Sequence, residues 1–352
     1  PAMIARWSGW ARDCGYRTTN RVRFTRPVSG RDSIKDRIYP AINSPASRTH
    51  LQSMTERVHD GARGSGSNGA AQTVTIRDGR PLGYATYGAP DGRPVVFLHG
   101  SPGSRLLGRL FDEPARNHGV SILAVDRPGY GASPAWPDRT PTDVVEGIDA
   151  VLTATEATSP GVVAFSGGSR YALALAAASD HDIARVDVLA GSVPPRFQRS
   201  PPRVQQVLGR LAELTPRALG ALVRGQAWIA SHASPAVVTA QYTTGAATDT
   251  VTDAVADCVK QDFLEALSGD ASAFVHETRR LQAPWRVDTG AIDCDVRFWH
   301  GDRDGNVPLA GVRRFVSTLD RATLSVQEDA DHLGTLVESR AAVLALQRDS
   351  GR

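Results

Sequence analysis

Four short apolar runs, separated by stretches with helical spacing, constrain the fold of this chain more than any other feature. They are Val95-Val96-Phe97-Leu98, Ser121-Ile122-Leu123-Ala124-Val125, Val162-Val163-Ala164-Phe165 and Val186-Asp187-Val188-Leu189-Ala190. A run that is apolar throughout suits a strand covered on both faces, and such strands alternating with helices form a parallel sheet. Between the second and third runs, residues 142–156 open polar and then place Val144, Val145, Ile148, Val151 and Leu152 along one helical face. Upstream, Val74-Thr75-Ile76-Arg77 and residues 82–87 flank the turn Asp78-Gly79-Arg80 and read as a β-hairpin. After Ala190 the alternation stops. Residues 194–285 read as helices broken by Pro and Gly. A strand pattern then returns at Val296-Arg297-Phe298-Trp299, followed by a helix from Leu309, a strand at 323–326 and a closing helix from Leu336. The expected fold class is α/β, a mostly parallel central sheet with helices on both faces. Residues 72–195 and 286–350 form its core, interrupted by a helical insertion at 196–285.

Composition narrows the function classes. No run of about 18 apolar residues exists, so no membrane-spanning helix is expected. Of 40 Lys and Arg against 37 Asp and Glu, residues 1–53 hold 10 and 3, leaving 30 and 34 for residues 54–352. The body is mildly acidic. The basic excess lies in an N-terminal stretch where Arg is scattered among Ser, Thr and Pro without an apolar stripe, read as a solvated extension with its linker over residues 1–71. The chain opens on Pro1, and Met54 precedes the Gly- and Ser-rich linker, which points to a native start near Met54. Cys14, Cys258 and Cys294 are far apart and match no metal spacing, which suits a reducing, cytoplasmic setting. The expected partner is a small-molecule substrate, with no nucleic acid, no membrane, no metal and no cofactor; a homo-oligomer is left open.

Four segments carry chemistry, each directly after a strand. Ala164-Phe165-Ser166-Gly167-Gly168 places a serine on a sharp strand-to-helix turn, which needs small residues two positions either side. A serine helix cap is the ordinary reading of such a segment taken alone. Leu98-His99-Gly100-Ser101-Pro102-Gly103-Ser104 is a loop whose Ser101 N–H, with that of Gly167, is a candidate oxyanion donor pair. His300-Gly301-Asp302-Arg303-Asp304 offers two carboxylates, Asp302 and Asp304, and Asp331-His332 supplies an imidazole in a loop after the last strand. C-terminal ends of parallel strands converge, so all four segments meet at one sheet edge.

With the order Ser, Asp, His along the chain, the sequence resembles the α/β-hydrolase superfamily from about Val74 to Leu346. Val125-Asp126-Arg127-Pro128-Gly129-Tyr130-Gly131-Ala132-Ser133 is similar to a D-x-x-G-x-G-x-S segment of many members, where it is mainly structural. The resemblance implies Ser166 as nucleophile, Asp304 as acid, His332 as base, and the insertion as a cap over the site. Asp304 fits G-x-x-D-x-x-V-P, and residues 191–195, where other members carry the acid, hold no carboxylate. Two departures stand out. Ala164 replaces the first Gly of G-x-S-x-G, and Ser169-Arg170 stand where close relatives often have Gly and Pro. Members resembling haloalkane dehalogenases or epoxide hydrolases use Asp at the position of Ser166, so a serine esterase is the expected activity. Aminopeptidase-like, C–C bond hydrolase or lyase activity and a low-turnover small-molecule receptor are the alternatives.

Overall fold

The computed structural model describes residues 69–349 except 77, 137, 138, 245–249, 270 and 282. The expectations for residues 1–68 lie outside the described residues. Eight strands form one sheet: β1 (Gln72–Thr75), β2 (Pro81–Gly88), β3 (Arg93–Leu98), β4 (Val120–Val125), β5 (Gly161–Phe165), β6 (Arg185–Leu189), β7 (Asp295–Gly301) and β8 (Ala322–Gln327). Their spatial order is β1-β2-β4-β3-β5-β6-β7-β8. The hairpin partners β1 and β2 pair antiparallel, as do β2 and β4, and every later pairing is parallel. Each run of apolar residues has become a strand, and all six residues of β4 and all five of β5 are buried. The fold expectation holds.

The helices cover both faces. In chain order they are α1 (Asp112–His118), α2 (Pro141–Ala154), α3 (Ser169–Ala178), α4 (Arg203–Leu214), α5 (Pro216–His232), α6 (Pro235–Thr239), α7 (Asp253–Ala266), α8 (Ser272–Leu281), α9 (Leu309–Val316) and α10 (His332–Asp349). Helix α2 starts where the sequence permits it: Thr140 and Asp143 form a capping box and Pro141 occupies the first turn. Its buried residues Val144, Val145, Ile148, Val151 and Leu152 join one core cluster with β3, β5 and β6. The second cluster lies on the other face, where Phe97, Val163 and Leu189 meet α10 through Leu336, Val343 and Leu344. Between β6 and β7 the chain forms α4 to α8. No helix among the described residues is long and apolar enough to cross a membrane.

Candidate active site

At the end of β5 the backbone turns into a short 3-10 segment, Ser166–Gly168, that leads directly into α3. Ser166 takes the left-handed conformation, φ 51°. A non-glycine residue held there costs about 1–3 kcal/mol, a strain the surrounding packing must impose. That packing is visible. A Cβ on Gly168 would run into the carbonyl oxygen of Leu98, and one on Gly100 would sit 3.4 Å from the Ser166 Cβ. The turn is therefore wedged against the end of β3. From the other side, Ser192 donates its N–H (3.0 Å) and its hydroxyl (3.2 Å) to the Ser166 carbonyl. Ser169 is buried and bonds Ser192, while the Arg170 guanidinium lies over the Tyr171 ring at 5.0 Å.

The two carboxylates of 300–304 differ in burial. Asp302 is exposed, whereas Asp304 is buried and fully engaged. Its Oδ1 accepts the N–H groups of Asn306 and Val307, both at 2.8 Å, and its Oδ2 accepts His332 Nδ1 at 2.7 Å. Burial alone raises a carboxyl pKa, but His332 and these donors outweigh it and hold Asp304 below its usual range. An ionised Asp304 accepts only, so His332 donates to it from Nδ1 and Nε2 stays outside that bond. The Nε2 of buried His300 donates to the Val307 carbonyl at 2.8 Å and lies 3.3 Å from Asp304 Oδ2. Burial depresses the His300 pKa, so this second imidazole is a neutral neighbour of the pair.

His332 differs from its sequence assignment to a loop: it is the first residue of α10. Asp331 precedes it and accepts the Gly334 N–H at 2.8 Å, satisfying an amide of the first turn. The imidazole is held between two rings, Phe165 at 4.9 Å and Tyr242 at 6.3 Å with planes 16° apart. Phe165 directly precedes Ser166, which brings the imidazole beside the turn. Among the described residues no hydrogen bond joins Ser166 Oγ to His332.

The loop after β3 lies against the same turn, since a Cβ on Gly167 would be 3.4 Å from the Ser101 nitrogen. The Gly167 amide is in the first turn of its helical segment, where N–H groups lack helical partners. Ser101 and Gly167, the two residues of the expected oxyanion pair, are thus neighbours.

A buried polar network that the sequence reading missed sits behind this loop. Glu277 of α8 is 1% exposed and Arg127 fully buried. Arg127 donates to both Glu277 oxygens, at 3.1 and 3.0 Å, and to the Gly100 carbonyl and Ser101 Oγ at 3.0 and 2.9 Å. Ser101, Tyr130 and Tyr171 donate their hydroxyls to Glu277, the tyrosines at 2.9 and 2.8 Å. Burial would raise the Glu277 pKa, yet Arg127 and Arg139 hold it well below the carboxylate range. His99, buried and beside Arg127, is held neutral: burial and that guanidinium depress it, and its Nε2 accepts the Arg127 N–H at 3.2 Å. Helix α7 adds two more carboxylates. Asp262 accepts the Ser104 N–H and hydroxyl at 2.7 and 2.8 Å, and Glu265 pairs with Arg105 at 2.7 Å. The signal that could have exposed Glu277 is a carboxylate one helical turn after Ala273 on the inward face of α8.

The described residues contain no cluster of His, Cys, Asp and Glu fit to hold a metal ion. A groove of about 680 Å³ opens at the other sheet edge, among Arg93, Asp182, Cys294 and Arg321, and holds none of the residues described above.

Comparison with known proteins agrees with this architecture. A family model described as the alpha/beta hydrolase family matches residues 95–346. A haloalkane dehalogenase from Mycolicibacterium paratuberculosis is 32% identical over 134 residues, 37% of this chain; the match spans 44% of that relative, under half its length. An alpha/beta hydrolase fold protein from Nakamurella multipartita is 22% identical with a TM-score of 0.56, covering 80% of this chain and 100% of its own. A thermophilic esterase from Thermogutta terrifontis is 18% identical with a TM-score of 0.60, at 80% and 100% coverage. At such identities the structural likeness speaks for the fold.

Proposed function

This chain belongs to the alpha/beta hydrolase family, and from that membership we propose that it is a serine hydrolase cleaving a small ester or related acyl substrate. The observation that carries the reading is the Asp304–His332 pair. A buried carboxylate takes two backbone amides on one oxygen and the imidazole Nδ1 on the other, leaving Nε2 outside that bond. That is the arrangement a base needs to activate a neighbouring hydroxyl.

In the proposed reaction His332 Nε2 takes the Ser166 proton as Oγ attacks the substrate carbonyl carbon. The negative charge moves to the carbonyl oxygen, which the Ser101 and Gly167 N–H groups stabilise, each contributing on the order of 3 kcal/mol. The imidazolium, stabilised by Asp304, then protonates the departing alkoxide. Water, deprotonated by the same imidazole, attacks the acyl-enzyme; the acyl–Oγ bond then breaks, the imidazolium returns its proton to Ser166 Oγ and the acid leaves. Helices α4 to α8 act as a cap, and their contacts to the loop after β3 supply positioning.

Ser166 also favours acyl transfer over the halide displacement named for the dehalogenase relative. Displacing a halide with a serine hydroxyl would leave an alkyl ether that water does not cleave. A carboxylate in that place would leave a hydrolysable ester.

A fluorophosphonate probe followed by peptide mapping tests the proposal. Label on Ser166 in the parent protein, abolished in both Ser166→Ala and His332→Ala, is the expected result. Folded parent protein that takes up no label would overturn it and leave ligand binding without turnover as the better reading.

A further inference from the structure

Among the described residues, the exposed large hydrophobic side chains are Val207, Leu214, Leu222 and Trp228, and all four belong to α4 and α5. Trp228 is 68% and Leu214 80% exposed. Globular surfaces tolerate scattered apolar residues, but here all four fall on two consecutive helices, a concentration that asks for a partner.

The charge on the same helices says what kind. Arg203 and Arg210 of α4 and Arg217 and Arg224 of α5 are exposed, and Glu213 is the one acidic residue between Arg203 and His232. On α4, Arg203, Val207, Arg210 and Leu214 follow at spacings of four, three and four, which sets cations and apolar groups along one stripe. The helix's buried residues, Gly209 and Ala212, lie off that stripe. On α5, the buried positions Leu219, Gly220, Val223 and Ala230 likewise leave Leu222 and Trp228 outward. With 17 residues, α5 runs about 25 Å, long enough to lie along a surface.

We propose that the α4–α5 face docks on an anionic lipid bilayer surface, with the arginines at the phosphate level, Leu214 and Leu222 inserted among the acyl chains and Trp228 at the boundary between. Arginine attracts lipid phosphate, aliphatic side chains need a dry environment, and tryptophan prefers the zone between. A second copy of this chain is the poorer occupant, because a two-fold contact would bring like arginines face to face. Nucleic acid would satisfy the arginines and leave the aliphatic groups in water. The proposal departs from the expectation of no membrane partner, which came from the absence of a spanning run and of an apolar stripe in the N-terminal stretch. None of these residues belongs to the candidate active site, so the inference stands apart from the proposed reaction.

Sedimentation of the full chain with vesicles tests it, comparing pure phosphatidylcholine with an equal mixture of phosphatidylcholine and phosphatidylglycerol. Binding is expected to the anionic vesicles only and to weaken with salt. One arginine near such a surface contributes about fivefold in partitioning. The Arg210→Gln/Arg217→Gln variant should therefore bind at least about tenfold more weakly. Leu222→Ser/Trp228→Ser should lose binding to the same extent while melting at the parent temperature. Binding that both variants retain, or no binding by the parent, would overturn the proposal. So would self-association that Leu222→Ser/Trp228→Ser dissolves, since a second copy would then cover the face.

Discussion

Replacing Glu277 by Gln removes a negative charge from the most densely bonded carboxylate among the described residues while nearly keeping its shape. Its two oxygens accept from Arg127, Tyr130, Tyr171, Ser101 and Arg139. Gln keeps one acceptor oxygen and turns the other position into a donor that faces donors. Arg127, fully buried, loses its counter-charge, and breaking such a pair costs about 3–5 kcal/mol. At ~2–4 °C per kcal/mol for domains approaching this size, the melting temperature should fall by about 10 °C. Calorimetry on the parent and the variant reads that shift. A Glu277→Gln melting temperature within about 2 °C of the parent would refute the reasoning, because it would mean Arg127 does not depend on Glu277.

Three further outcomes follow from the geometry. If the proposed reaction holds, Asp304→Asn should cost about 10³–10⁴ in kcat with the fold retained, because the amide favours the wrong tautomer of His332; near-parental turnover would exclude Asp304 as the acid. Burial pushes the Asp262 pKa up to about 7, with nearby Asp126 adding to the effect, so the folded state holds a proton the unfolded chain releases. The parent should therefore lose stability relative to Asp262→Asn as pH rises from ~4 to ~7, by on the order of 4 kcal/mol, and urea midpoints that run parallel across that range would contradict this. Gly168→Ala should destabilise by about 1–3 kcal/mol, because its methyl meets the backbone of β3, whereas Gly225→Ala on exposed α5, with nothing within 4 Å, should be neutral or stabilising; equal effects in urea unfolding would show the turn is not wedged.

What the sequence by itself determined is local. The strands were legible because a strand covered on both faces must be apolar throughout, and Val162-Val163-Ala164-Phe165 has no other good use. The turn around Ser166 was legible because its sterics exclude anything larger than Ala164 and Gly168 on either side. The meeting of Ser101, Ser166, Asp304 and His332 at one edge followed from parallel topology, where every such loop leaves a strand at the same end. Tertiary structure alone decided the rest. Asp302 and Asp304 share one turn; resemblance pointed to Asp304, but its burial and its bond to His332 are seen only in the fold. Glu277 finds Arg127 across 150 positions of chain, and Tyr242 finds His332 across the same insertion. Helical spacing marks Glu277 as inward but names no partner. The arginines and apolar residues of α4 and α5 carry a helical period in either case, and whether that stripe faces the core or water is set by what packs behind it. Propensity and periodicity act within a few residues, whereas pairing partners and exposed faces are chosen by the whole fold.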